Sequence, residues 1–383
     1  MTSLNNRKSI NLVDLYYYLF LATFAIILFS NVIPSNWITV TRLFVFPTAV
    51  LSIVLIDSKR TLIFVLFFFT FICIYSLYPL LTNDVELNSL IKNTRYPIYF
   101  ILIFGLVNIM KIFPLREILY RMSQIYLVKQ IFMFSIIIDM NFGAGFFSNY
   151  FLNSSNLLIA RLEDSYRILD IYSYFFPLAF IYLFDKKNIT KILIFSIIFF
   201  VLYHSNTYGF LISFMLVLSF KYKFFRRSLL IVGVLLFVFL SNELIEYFNT
   251  LAALKSVSID VKLNQVTHLI DNMSFFGQGL GVLIDIQGRV DSMLENTFIY
   301  WIIIYGAIGS IVIFSYFVFL PSLICYKLRY KPFVIDLFYL NMSLWISTSF
   351  NPFLESNVGI IPMLISISFY INYRRLEGKK GVI

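Results

Sequence analysis

The chain has 383 residues, 60% of them hydrophobic and only 13% charged, with a formal net charge of +10. Soluble domains are nearer about 45–50% apolar and about 25% charged, so a soluble globule is excluded and lipid must solvate much of this surface. The positive charge falls in short bursts between apolar runs rather than as a basic stripe with interleaved aromatics, which argues against a nucleic-acid-binding domain.

Apolar runs able, or nearly able, to cross a hydrocarbon core of about 30 Å predict helices over 13–33, 38–56, 61–82, 96–113, 122–142, 169–184, 190–204, 207–220, 228–242, 296–320, 333–350 and 358–373. The first follows Arg7 and Lys8 with no small-residue cleavage site behind it, so it reads as a retained helix. Only His204, Ser205 and Asn206 separate the seventh from the eighth. The fold class expected is therefore an all-α polytopic integral membrane protein of about twelve transmembrane helices, one transmembrane domain over 1–383.

Lys and Arg placement gives an independent check, because short cytoplasmic segments are enriched in both. With a cytoplasmic N-terminus and alternating sides, the clusters at 7–8, 59–60, 111–121, 186–191, 221–227, 327–331 and 374–380 all fall inside. They hold most of the 30 basic residues. The outer segments keep Lys92, Arg95, Arg161, Arg167, Lys255, Lys262 and Arg289. Both termini are then cytoplasmic. Two outer loops, 143–168 and 243–295, are long enough to carry function. Within the second, Leu244 to Lys262 suits a surface helix, and Gly277-Gln278-Gly279-Leu280-Gly281 suits a tight turn. That turn lacks the strand and βα unit of a dinucleotide site.

Chemistry is sought among the outer polar residues. Arg42 lies near the outer end of the second helix, with Arg95, Arg161, Arg167 and Arg289 in the outer segments. An arginine fork matches phosphate or carboxylate oxygens, so these five either hold an anionic, lipid-linked substrate or pair with outer acids such as Glu163, Asp164 and Asp285. Glu295 opens the tenth helix, either as a cap favoured by the helix dipole or as a general base beside Arg289 and Asp291. His204 and Tyr208 sit at the outer turn between the seventh and eighth helices. His268 lies mid-loop. Lys129 has Asp139 or Asp336 as a possible intramembrane partner. Cys73 and Cys325 fall in different environments, which argues against a disulfide. No spacing suggests a metal or cofactor.

The stretch Gly277-Gln278-Gly279-Leu280-Gly281, followed by Glu295-Asn296-Thr297-Phe298-Ile299-Tyr300 and then Gly306-Ala307-Ile308-Gly309, resembles the late region of bacterial O-antigen polymerases (Wzy-type). The related O-antigen ligases share the outline. The layout of about twelve helices, inside termini and a large periplasmic loop before a late helix is similar throughout. The resemblance implies a GT-C-like, metal-independent glycosyltransferase with large periplasmic loops in the bacterial cell inner membrane. It would join undecaprenyl-diphosphate-linked oligosaccharides, with the lipid bilayer and a chain-length regulator protein as partners and no cofactor. Taken with the residue reading, the catalytic candidates are Glu295, Arg289 and His204. Substrate contacts would fall to Arg42, Arg95, Arg161, Arg167, Tyr208, Gly279 and Gly281. Ligases typically carry His where Glu295 stands, which favours the polymerase. The competing functions are an O-antigen ligase and a flippase for the same lipid-linked sugar; a flippase would line its cavity with charge.

Overall fold

The computed structural model describes residues 11–30, 38–56, 59–82, 87–94, 96–143, 158–161, 166–170, 172–184, 186–204, 208–223, 225–227, 256–286, 289–291, 296–331, 333–349 and 359–380, together with 32, 85, 231 and 294. In chain order its helices are α1 (Leu12–Phe29), α2 (Ile38–Val54), α3 (Lys59–Thr82), α4 (Leu87–Asn93), α5 (Leu102–Ile112), α6 (Leu115–Phe142), α7 (Leu178–Leu183), α8 (Asn188–His204), α9 (Tyr208–Lys221), α10 (Ser256–Asn272), α11 (Thr297–Phe314), α12 (Leu320–Lys327), α13 (Val334–Thr348) and α14 (Ile361–Lys380). Two antiparallel hairpins accompany them: β1 (Leu158–Arg161) with β2 (Tyr166–Leu169), and β3 (Ile284–Ile286) with β4 (Arg289–Asp291).

Among the described residues, four helical stretches are long and apolar enough to cross a membrane: Leu12–Phe29, Thr61–Leu81, Leu115–Phe142 and Thr297–Lys327. Large apolar side chains stand exposed on their outward faces, among them Leu81 at 86% and Phe67 at 56%. No soluble chain shows water so much apolar surface. The protein is a dominantly helical, membrane-embedded bundle.

Polar contacts between helices hold it together, as expected where lipid removes the hydrophobic drive for helices to associate. Thr23 meets Thr48 across α1 and α2 at 2.7 Å. Ser52 Oγ donates to Ile101 O and accepts from Gly105 N, threading one hydroxyl into the start of α5. Asn372 Nδ2 of α14 reaches Val107 O of α5 at 2.6 Å. At the basic end, Lys221 of α9 pairs with Asp336 of α13.

Distant groups reach helix carbonyls at two places. Pro79 has no N–H for Tyr75 O, one turn earlier in α3; Leu280 N donates there instead, at 2.8 Å. Phe317 O, within the π-helical turn Ser315–Phe319, accepts from Trp345 Nε1 at 3.0 Å.

Several expected spans take a different form. The helix expected over 96–113 opens as a 3-10 segment, Tyr96–Ile101. The one over 122–142 begins a full two turns earlier, behind Pro114. The span over 169–184 is not one helix: strand β2 runs to Leu169, a 3-10 turn covers Ser173–Phe175, and only Leu178–Leu183 is α-helical. Of the surface helix expected over 244–262, residues 256–262 are helical, within Ser256–Asn272, and 244–255 lie outside the described residues. The helix expected over 228–242 lies outside them. The span expected over 296–320 folds back on itself at Gly306.

Candidate functional site

The fold-back at Gly306 defines the first half of the site. Gly306 has φ 63 and ψ −172, which only glycine adopts readily. A straight helix would hold residues 298 and 314 roughly 24 Å apart, yet the Phe298 and Phe314 rings stack at 5.4 Å. Ser310 Oγ donates to Trp301 O, nine residues back, at 3.1 Å. Thr297–Tyr305 is therefore a short re-entrant helix, and residues from Ala307 onward form the crossing segment that ends at Lys327.

The break is filled by backbone from the preceding loop. Gln278 N and Gly279 N donate to Ile303 O and Ile304 O, while Ala307 N and Ile308 N donate to Ser274 O and Phe275 O. Irregular backbone at membrane depth is tolerated only where protein satisfies it, and here residues 274–279 do so. A Cβ on Gly277 would lie 2.3 Å from Gly306 N.

Re-entry carries the start of this helix inward. Phe298 sits level with Phe314, about 12 Å along the crossing helix from the turn at Gly306. Asn296 caps the re-entrant helix, accepting from Phe298 N at 2.9 Å and Ile299 N at 3.2 Å. Its Nδ2 donates to Ser349 O, at the end of α13. Within a turn of this contact, the hydroxyls of Thr297, Ser347 and Thr348 are fully buried and have no hydrogen-bond partner. A helix N-terminus favours negative charge, so these buried hydroxyls beside it make this a place for anionic or hydroxylic groups.

The second half is the broken path that follows β2. Below β2, Asp170 is fully buried and pairs with Lys129 at the middle of α6, also fully buried. Gln130 Nε2 donates to the same carboxylate at 3.0 Å, Tyr172 N at 3.1 Å and Ser173 Oγ at 3.2 Å. The Lys129 ammonium lies 4.8 Å from the centre of the Tyr172 ring, and Tyr172 Oη meets Ser30 Oγ at 3.1 Å. Asp170 is the partner of Lys129, rather than Asp139 or Asp336.

The two paths dock on one helix. Ser343 Oγ of α13 donates to Tyr174 O at 2.8 Å, just after Asp170. Ser347 lies one turn further along α13, and Ser349 O then takes Asn296. Chain that follows each large loop thus packs against the last two turns of α13.

The sequence-selected residues distribute unevenly over this frame. Arg161 and Arg167 are on the paired strands, Arg161 opposite Tyr166 and Arg167 opposite Ala160. Arg167 is three residues from Asp170, about 10 Å along the strand. Arg289 begins β4, opposite Ile286. Arg42 lies in the first turns of α2, and Tyr208 opens α9. At these five positions the description covers the backbone alone. Arg95 and Glu295 lie outside the described residues. The cap role weighed for Glu295 belongs to its neighbour Asn296. His204 ends α8 half-buried among rings, with Phe200 at 4.4 Å and Tyr203 at 5.5 Å. Gly279 and Gly281 are buried packing positions: a Cβ on Gly279 would lie 2.5 Å from the Pro79 ring, and one on Gly281 2.8 Å from Leu90. Their positive φ and these neighbours account for glycine at both, without a substrate. His268 lies on α10, not in a loop. Cys73 and Cys325 are both free thiols.

Sequence reading missed Asp170, Thr297, Ser347 and Thr348. An acid three residues before Ser173 at the head of a broken apolar run was the one usable signal. The hydroxyls had none, since Ser and Thr are ordinary in membrane helices. No protein-family model matches the chain, and neither a curated protein nor a solved structure does.

Proposed function

We propose that the chain is a polymerase of polyprenyl-diphosphate-linked oligosaccharide repeats, an O-antigen polymerase of the bacterial inner membrane. In this reading it is a GT-C-like protein of about twelve spans, with both termini cytoplasmic and its large loops periplasmic. What supports the reading is that the chain following each large loop packs on one end of α13. Arginines stand on both loop hairpins, at 161, 167 and 289, and the second loop leads into the polar start of the re-entrant helix.

The chemistry follows from those groups. The anomeric carbon of the donor sugar loses its bond to the undecaprenyl diphosphate, which leaves as an anion, and gains a bond to the acceptor sugar's hydroxyl oxygen. The hydroxyl proton passes to a base, for which Glu295 is the candidate. Arg161, Arg167 and Arg289 stabilise the departing diphosphate, and no metal or cofactor takes part.

The test is the lipopolysaccharide ladder of a deletion strain complemented with variants of normal membrane abundance. The deletion should leave a single repeat on the core. Glu295→Gln should lower polymerisation about 100-fold or more, with Glu295→Asp intermediate. Loss of every repeat would point to a ligase or flippase. Full-length polymer from Glu295→Gln would move the base elsewhere.

A further inference from the structure

Helix α10 is amphipathic the wrong way round for a helix resting on a protein. Its outward stripe is apolar: Leu263, Val266 and Ile270 are exposed, followed by Met273 beyond the helix end. The stripe runs on through exposed Phe275 and Phe276, and Phe275 O accepts from Ile308 N. Ile308 and Ile311 are exposed on the crossing helix itself. The apolar face is therefore continuous with a lipid-facing surface, and α10 lies along the membrane boundary.

The inward face is polar. α10 packs on α11 and β3, and there Gln265 is only 3% exposed, yet its Oε1 has no hydrogen-bond partner. One turn along, His268 Nε2 is likewise buried and without a partner. The histidine tautomer follows from its neighbour. Asn272 Nδ2 donates to His268 O at 2.9 Å, which fixes the amide orientation, and the same Nδ2 lies 3.3 Å from His268 Nδ1. Nδ1 must then accept, so Nε2 carries the hydrogen in the neutral ring. Among the described residues, a vacant acceptor and a vacant donor thus stand one turn apart on one helix face.

We infer that Gln265 and His268 form a subsite for a sugar hydroxyl, with α10 as the membrane-anchored wall that covers it. A hydroxyl is the group that donates and accepts at once: its O–H donates to Gln265 Oε1 and its oxygen accepts from His268 Nε2. A carboxylate or phosphate would meet the Gln265 oxygen with repulsion, and an ammonium would meet the His268 N–H the same way. The subsite adjoins β3, whose partner strand carries Arg289, and so deepens the glycan-transfer reading on which its place in catalysis rests.

The test uses full-length protein in lipid nanodiscs with ring-15N histidine. The chain has only two histidines, so His204 serves as the internal control. Glycerol at high concentration and isomaltotriose are the probes. The His268 Nε2 signal should move saturably with either one, and Gln265→Leu should abolish the movement. An unmoved signal, or equal movement in Gln265→Leu, overturns the subsite. Replacing an unpartnered buried amide by an apolar side chain of similar size does not weaken the fold, so Gln265→Leu should unfold no earlier than wild type. In membranes fed lipid-linked repeats, the Gln265→Leu/His268→Leu protein should need roughly tenfold more acceptor for half-maximal rate, with the saturating rate kept. Unchanged acceptor dependence would remove the subsite from catalysis and overturn this part. A saturable His268 signal in a protein that makes no polymer would sink the polymerase reading and leave the subsite standing.

Discussion

Lys129→Met removes the ammonium from the middle of α6 but keeps the length and volume of its stem. Asp170 would then keep Gln130 Nε2, Tyr172 N and Ser173 Oγ as donors while losing the Lys129 ammonium. Breaking a fully buried ion pair from one side costs about 3–5 kcal/mol, a large share of the roughly 5–15 kcal/mol that holds a protein folded. Asp170→Asn made together with Lys129→Met removes both charges and keeps an amide of the same shape. The penalty should then fall to the loss of weakened hydrogen bonds, about 1–2 kcal/mol. Denaturant unfolding of purified protein in nanodiscs, with membrane abundance alongside, measures Lys129→Met, Asp170→Asn and the double variant against wild type. The double variant should be more stable than Lys129→Met alone. Strict additivity, or a Lys129→Met protein as stable as wild type, would refute the claim that the pair is coupled and dry.

Gly306→Ala should abolish accumulation of folded protein, because its Cβ would lie 2.3 Å from Gly277 N at a φ of 63; normal abundance would show that the fold-back does not exist. Trp345→Phe should cost about 0.5–1.5 kcal/mol by removing the hydrogen bond from Trp345 Nε1 to Phe317 O, read as a lowered unfolding midpoint in nanodiscs; an unchanged midpoint would show that the bond contributes nothing. Reporter fusions after Arg121 and Lys331 should read cytoplasmic and fusions near Lys262 periplasmic, and a cytoplasmic signal at Lys262 would reverse the proposed orientation.

Composition and hydropathy were enough to read a membrane-embedded helical protein, because a core of lipid imposes its demand residue by residue along the chain. α1, α2, α3, α8 and α9 fall close to where apolar runs place them. The glycines at 277, 279 and 281 were legible as a tight turn for the same local reason. What the turn is for was not legible: Gly279 answers to Pro79 in α3, and Gly277 to Gly306, far along the chain. The run at 296–320 reads as one apolar helix, and hydropathy carries no sign of a fold-back whose backbone is satisfied by residues 274–279. Likewise, Lys129 stood out as a costly intramembrane charge, but Asp170 became its partner only through the broken path of 169–184. Local chemistry determined which segments enter the membrane. Which of them turn back, and which buried polar groups meet, depends on hydrogen bonds between residues distant in the chain, so tertiary structure alone decided it.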